Sequence, residues 1–324
     1  MKKFSCSRRD FIKYGLAAGA ATVAVPSIPG IRTGNKLDAE TPARAMSNKE
    51  IPKNEMSDLV MVTGAEPEIL VQRAIDELGG IKKFISHGDK VFLKPNISWD
   101  RPPETAANSN PLMVAAVVKM CLNAGAKEVV IADRSCNEAK RCYVNTKIEE
   151  YASNAGASVR YVMDSRFREV AIQNAKKLNS WEMYKDALEA DVFINMPVAK
   201  HHNLSNVSLA LKNLMGLLGG NRGSLHNDFP EKIVDVASVL KPNLVILDAY
   251  RMLMANGPQG GNLQDVQLKK TVVVGINQVS VDAIGSTLFG LKPDSLAFLV
   301  EANNRGLGEI NPEKLHVKTV NLAG

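Results

Sequence analysis

Residues 110–133 read NPLMVAAVVKMCLNAGAKEVVIAD, and the fold class turns on this stretch. Asn110 is a good helix cap, and Pro111 suits the first helical turn, where its missing N–H costs nothing. The spacing predicts a helix over Leu112–Asn123, stopped at Gly125. Glu128–Ala132 then makes a short apolar strand that ends at Asp133. A helix followed at once by an apolar strand is the repeat of a parallel sheet buried on both faces.

The same alternation continues in both directions. Upstream, Leu59–Val62 reads as a strand, Pro67–Leu78 as a helix, and Lys90–Leu93 as a strand running into Lys94-Pro95-Asn96. Downstream come a helix over Lys147–Asn154, a strand over Ser158–Val162, and a helix over Trp181–Glu189. A strand over Asp191–Asn195, a helix over Ser205–Leu218, and a helix over Pro230–Leu240 follow. The pattern closes with strands at Leu244–Leu247 and Thr271–Gly275, helices at Ser280–Phe289 and Asp294–Asn303, and an edge strand at His316–Val320. The expected class is α/β, with a mostly parallel sheet or sheets covered by helices on both faces, in one or two lobes.

The N-terminal segment is of another kind. Ser7-Arg8-Arg9-Asp10-Phe11-Ile12-Lys13 resembles the twin-arginine (Tat) export signal, and a weakly apolar run follows from Tyr14 to Val25. At about a dozen residues that run is too short to cross roughly 30 Å of hydrocarbon as a helix. Pro42-Ala43-Arg44-Ala45 supplies a small-x-small cleavage site before Met46. The expected organisation is a signal over residues 1–45, a polar linker over 46–57, and an α/β domain over 58–324. The resemblance implies the Tat translocase as partner, export in the folded state to the periplasm or another extracytoplasmic space, and no stable membrane span if the signal is cleaved, with an uncleaved N-terminal anchor as the alternative.

Removing the signal changes the charge. The chain has 40 basic and 34 acidic residues. Residues 1–45 contain eight of the first and three of the second, which leaves 32 against 31. A nearly neutral mature chain gives no electrostatic case for nucleic acid. Aromatic residues make up 5% of the chain, which argues against a base- or sugar-stacking surface. Beyond Cys6 only Cys121, Cys136 and Cys142 remain, too few for a disulfide framework. Cys136 and Cys142 are read as a disulfide, as metal ligands or as free thiols. No Cys-x-x-Cys run is present, so an iron–sulfur cluster held by this chain alone is not expected.

In open parallel sheets, ligands bind beyond the carboxyl ends of the strands. Here those ends carry Lys94 and Asn96, Asp133, Asn195 leading to Lys200-His201-His202, Asp248, and Asn277 with Asp282. Residues 191–228 add Lys212, Asn213, Arg222 and His226. Lys200, His202, Lys212 and His226 are the candidate catalytic residues, because amines and imidazoles move protons near neutral pH. Lys94, Asn96, Asn213, Gly257 and Gly260 are the candidate substrate-binding positions. His202 and His226, with Asp133, Asp248 and Asp282, are the candidate ligands for a divalent metal.

Taken together, Lys94-Pro95-Asn96, Asn195-Met196-Pro197, Lys200-His201-His202 and Leu211-Lys212-Asn213-Leu214-Met215-Gly216 resemble domain-of-unknown-function family 362. His226, Asp248, Asn256-Gly257-Pro258-x-Gly260 and Val279-Ser280-Val281-Asp282-Ala283 extend the likeness over about residues 58–310. The family's Lys-x-His element falls on Lys200 and His202. Some members carry an extra ferredoxin-like module, which has no counterpart here. A more distant likeness, through Leu225-His226-Asn227-Asp228, is to the nickel-pincer lactate racemases. The expectation is an enzyme that uses Lys/His acid–base chemistry, with a metal or cofactor, on a small anion, a carboxylate or phosphate. The alternatives are a small-anion binding or accessory protein and a partner in iron–sulfur redox chemistry.

Overall fold

Strand by strand, side chains alternate between two separate apolar cores, and that alternation sets the layering. In the computed structural model, which describes residues 59–323, Val91 and Leu93 point into one core and Phe92 into the other. Val129 and Ile131 are likewise divided from Val130, and Val192 and Ile194 from Phe193. Period-2 alternation of two apolar faces requires helices on both sides of the sheet. The expected signal and linker lie outside the described residues.

The elements are, in chain order, β1 (Leu59–Thr63), α1 (Pro67–Glu77), β2 (Lys90–Pro95), α2 (Pro111–Asn123), β3 (Glu128–Ile131), α3 (Ala139–Asn145), α4 (Ile148–Asn154) and β4 (Ser158–Val159). Then come β5 (Phe167–Ala171), β6 (Ser180–Tyr184), α5 (Lys185–Glu189), β7 (Val192–Met196), β8 (Val198–His202), β9 (Asn206–Ser208) and α6 (Ala210–Asn213). The chain continues through α7 (Phe229–Val239), β10 (Leu244–Leu253), β11 (Val266–Gly275), α8 (Gln278–Thr287), α9 (Ala297–Asn304) and β12 (Val317–Asn321).

The main sheet runs β12-β1-β11-β10-β7-β2-β3-β4, with β8 beside β10 and β9 beside β8. Pairing is parallel from β10 through β7, β2 and β3 to β4. The pairs β10–β11 and β11–β1 are antiparallel. The class is thus α/β with a mostly parallel, doubly covered sheet. Asn110 does cap α2, its side chain accepting from Leu112 N.

Three expectations need correction. Trp181–Glu189 is not one helix: Ser180–Tyr184 pairs antiparallel with Phe167–Ala171, and only Lys185–Glu189 is helical. Alternating Trp181 and Met183 favour the pleated form once a partner strand is present. Ser205–Leu218 is not one helix either. Asn206 adopts a left-handed φ of 62°, β9 follows, and α6 begins only at Ala210 before passing into a 3₁₀ turn over Leu214–Leu217. The strand expected at Leu244–Leu247 continues to Leu253, with an irregularity between Ala249 and Arg251.

Candidate active site

The rim at the carboxyl ends of β2, β3, β7 and β8 is built around a buried polar network. Lys94 Nζ lies 2.8 Å from Asp133 Oδ1, both side chains fully buried. It also donates to Asn213 Oδ1 at 3.0 Å, which accepts from Asn96 Nδ2 at 3.0 Å as well. Asn213 Nδ2 donates to Asn195 Oδ1 at 2.8 Å, and Asn195 Nδ2 to the Ala210 carbonyl at 2.9 Å. Asp133 Oδ2 accepts from Ile97 N at 2.6 Å. Buried polar groups with partners are inexpensive, and a connected set fixes one geometry. A side chain at Gly216 would break this set, since its Cβ would fall 1.7 Å from Asp133 Oδ1.

In front of this network opens a cavity of about 520 Å³. Asn96, Lys200, His202, Lys212, Asn213 and His226 all line it, together with Arg222, Cys136, Trp99 and Pro258. No Asp or Glu is among the lining residues. Lys200 Nζ donates to Asn96 Oδ1 at 3.0 Å and to the Ala107 carbonyl. Neither Lys200 nor Lys212 pairs with a carboxylate among the described residues. Burial pushes Lys200 down to about 7 and Lys212 down to about 8, as expected where the charged form loses water without gaining a counter-ion.

Lys212 faces His226, with Nζ 2.9 Å from Nε2. His226 Nδ1 is 3.0 Å from the Gly223 carbonyl, which can only accept, so Nδ1 carries hydrogen and Nε2 presents a lone pair to Lys212. His202 is the opposite tautomer. Its Nδ1 accepts from Leu204 N at 3.1 Å, so the neutral ring carries hydrogen on Nε2. Burial first, and then nearby Lys212, pushes His202 down to about 3. The two imidazoles stack at 5.8 Å between centroids.

Of the expected binding positions, Lys94 stands directly behind the cavity, touching Asn213. Gly257 N donates to His201 Nδ1 at 3.1 Å, and a Cβ there would lie 2.0 Å from the His201 carbonyl. That contact seats the loop and carries Pro258 to the cavity wall. Gly260 packs on Leu253, outside the lining. His201, without an assigned role in the sequence, is thus the loop's anchor.

The expected metal set does not assemble. Asp133 is engaged by Lys94 and Ile97 N. Both Asp282 oxygens accept backbone N–H groups, from Ala210 at 2.6 Å and Leu211 at 2.9 Å. Those of Asp248 accept from Asn110 N at 2.7 Å and Tyr250 N at 3.0 Å. Burial raises Asp248 to about 6 and Asp282 to about 7. No group of three His, Cys, Asp or Glu among the described residues is arranged for a metal ion, and the lone pair of His226 Nε2 is turned toward an amine. Cys136 and Cys142 are unpaired, the first exposed and the second buried, and Cys121 is buried. Cys136 reaches the lining from a loop and Arg222 from the start of a 3₁₀ turn over Arg222–His226, segments whose sequence carries no periodic signal. Arg222 was visible only as a cation in a Gly-rich segment.

Two family models agree with the resemblances to family 362 and to the Tat signal. A family model described as a domain of unknown function (DUF362) matches residues 91–287. The twin-arginine translocation signal matches residues 5–25. A thylakoid-associated protein of Synechocystis sp. is 25% identical over 241 residues, 72% of this chain and 73% of that protein. The lactate racemase apoprotein from Thermoanaerobacterium thermosaccharolyticum aligns with a TM-score of 0.39 and 14% identity over 58% of this chain, which spans half the length of that structure. Among the described residues no helix is long and apolar enough to cross a membrane.

Proposed function

The chain belongs to the DUF362 family and carries a Tat signal for export from the cytoplasm, and from that premise we propose that it is an extracytoplasmic enzyme acting by Lys/His acid–base chemistry on a small carboxylate or phosphate. Residues 1–45 serve as the removable signal, 46–57 as the linker, and 58–324 as the working domain. The observation that carries the reading is the cavity's charge: Lys200, Lys212 and Arg222 line it, and no carboxylate does.

An anionic group entering the cavity supplies the missing counter-charge. Arg222 is held in place by donating to the carbonyls of Arg134 at 2.6 Å and Ser135 at 2.8 Å, so its guanidinium is a fixed cation on the wall. Lys200 is fixed by two protein acceptors and keeps a third N–H for the ligand. Lys212 and His226 share a proton across 2.9 Å and form the base. His202, with its Nε2–H, is the donor to a substrate oxygen on which negative charge develops. A binding protein would need the cations but not this pair of oppositely polarised imidazoles.

The test is solvent isotope exchange. Mature protein in D₂O, given a panel of hydroxy-, oxo- and phospho-acids, should wash deuterium into one of them at carbon, read by NMR. His202→Ala and His226→Ala should lose the exchange by at least a hundredfold, within the usual scale of general acid–base contributions, while still binding the acid. A Lys200→Met variant that binds every acid as well as the unaltered protein would sink the anion reading.

A further inference from the structure

The wall of the cavity distinguishes its two lysines. Lys200 gives its protons to an amide oxygen and a carbonyl, groups that cannot take one away. Lys212 gives one to an imidazole nitrogen, His226 Nε2, which can. The Gly223 carbonyl fixes that nitrogen in its accepting form. Around the Lys212 amine stand Met215 Sδ at 3.0 Å and the Phe229 ring at 5.0 Å, an apolar setting with no carboxylate to hold the ammonium charge. An amine so placed is a nucleophile with its own base.

We propose that Lys212 forms a covalent imine with a 2-oxo acid bound in the cavity, its carboxylate held by Arg222 and Lys200. This rests on the small-anion reading above and narrows it to substrates with a carbonyl beside the carboxylate. His226 Nε2 takes a proton from the Lys212 ammonium. The freed amine adds to the carbonyl carbon, forming the C–N bond as the C=O π bond breaks, and one of the nitrogen's two protons passes to the oxygen, to which His202 Nε2–H donates a hydrogen bond. The imidazolium of His226 then returns its proton to the hydroxyl, which leaves as water while the nitrogen lone pair closes the C=N bond and the nitrogen keeps its last hydrogen. The sum is ammonium plus ketone giving iminium plus water, with no oxidant or reductant required. The iminium is an electron sink, which lowers the cost of removing a proton from the neighbouring carbon.

The experiment is reductive trapping on the mature, full-length domain. Glyoxylate, pyruvate, 2-oxoglutarate and phenylpyruvate are supplied one at a time with cyanoborohydride, and the intact mass and the modified peptide are read. At least one acid should add once per chain, on the peptide containing Lys212. His226→Gln should slow the addition at least tenfold. Lys212→Arg should abolish it, and the peptide assignment in the unaltered protein makes the result independent of whether that variant folds. No adduct with any of the four, or one shared among surface lysines, overturns the imine. If the same acids still shift the melting temperature of the untrapped protein, the anion site survives and only the covalent step falls. If none of them does, both fall for this class of acid.

Discussion

Lys94 Nζ and Asp133 Oδ1 meet at 2.8 Å with no solvent contact, and the space for that meeting exists because residue 216 has no side chain. The pair neutralises itself, so the cations in front of it, Lys200, Lys212 and Arg222, remain uncompensated. The buried pair and the charged cavity are thus two parts of one arrangement, the first supporting the second through Asn213 and Asn96.

Gly216→Ala would drive a methyl group into this ion pair, and Asp133→Asn would leave Lys94 as a buried charge without a counter-ion. Each should cost about 3–5 kcal/mol of unfolding free energy, the scale for breaking one side of a buried pair. Urea titration followed by circular dichroism measures it. A loss under 1 kcal/mol from Asp133→Asn would mean that the pair does not exist as described.

Stability should also respond to pH through Lys212. Its folded-state value of about 8 lies below its ordinary 10.5, so between those values the unfolded chain holds more protons and stability rises with pH. The contribution is complete above 10.5 and is lost as pH falls through 8. Lys212→Met should therefore stabilise the ligand-free protein at pH 7, on the order of 3 kcal/mol by the free energy of a pKa shift. The gain should fade by pH 10.5. Denaturation midpoints of both proteins across pH 7 to 10.5 would reveal the trend, and a constant difference would contradict it.

His202 should be neutral, with hydrogen on Nε2, because Leu204 N occupies Nδ1 and burial holds its ring down to about 3. Two-bond ¹H–¹⁵N correlation spectra should show that tautomer unchanged from pH 8 to pH 5. A titration midpoint near 6.5 for this ring would show that it is not buried as described.

Gly257→Ala would place a methyl group against the His201 carbonyl, 2.0 Å away, and push Pro258 off the cavity wall. Affinity for a bound acid should fall roughly tenfold, since small displacements of positioning groups carry large effects. The unfolding midpoint should change little, because the strain is confined to a loop. Calorimetric titration against a matched melting curve separates the two readouts.

Export should fail when the arginine pair is altered. Arg8→Lys together with Arg9→Lys should leave the full-length chain in the cytoplasm, visible by fractionation and immunoblotting. Equal export of the double variant would remove the Tat assignment.

The sheet was legible because its strands are short apolar runs and its helices carry their own punctuation, as at Asn110, Pro111 and Gly125. The stretch from Ser205 to Leu218 misled for a long-range reason. Its apolar run looks helical, yet Asp282 claims the N–H groups of Ala210 and Leu211 and starts the helix late. The same carboxylate looked like a metal ligand because it follows a strand. Its real partners are backbone groups 72 and 71 residues away, which no local pattern reveals. Lys200, Lys212 and the two histidines stood out as polar residues in apolar surroundings. Arg222 and His201 were in view but without a role, since only the fold shows Arg222, at the start of a 3₁₀ turn, reaching the cavity and His201, on β8, holding the Gly257 loop.

The Asp282 cap has a consequence for how the protein comes into being. It anchors the turn that presents Lys212 and Asn213, so the cavity wall depends on a residue some seventy positions further along the chain. A nascent chain still short of residue 282 on the ribosome has the lysines and histidines but nothing to hold them in register. The pocket therefore cannot take this form until residue 282 has been made and has docked, which suits a transport system that waits for a finished fold before moving its cargo.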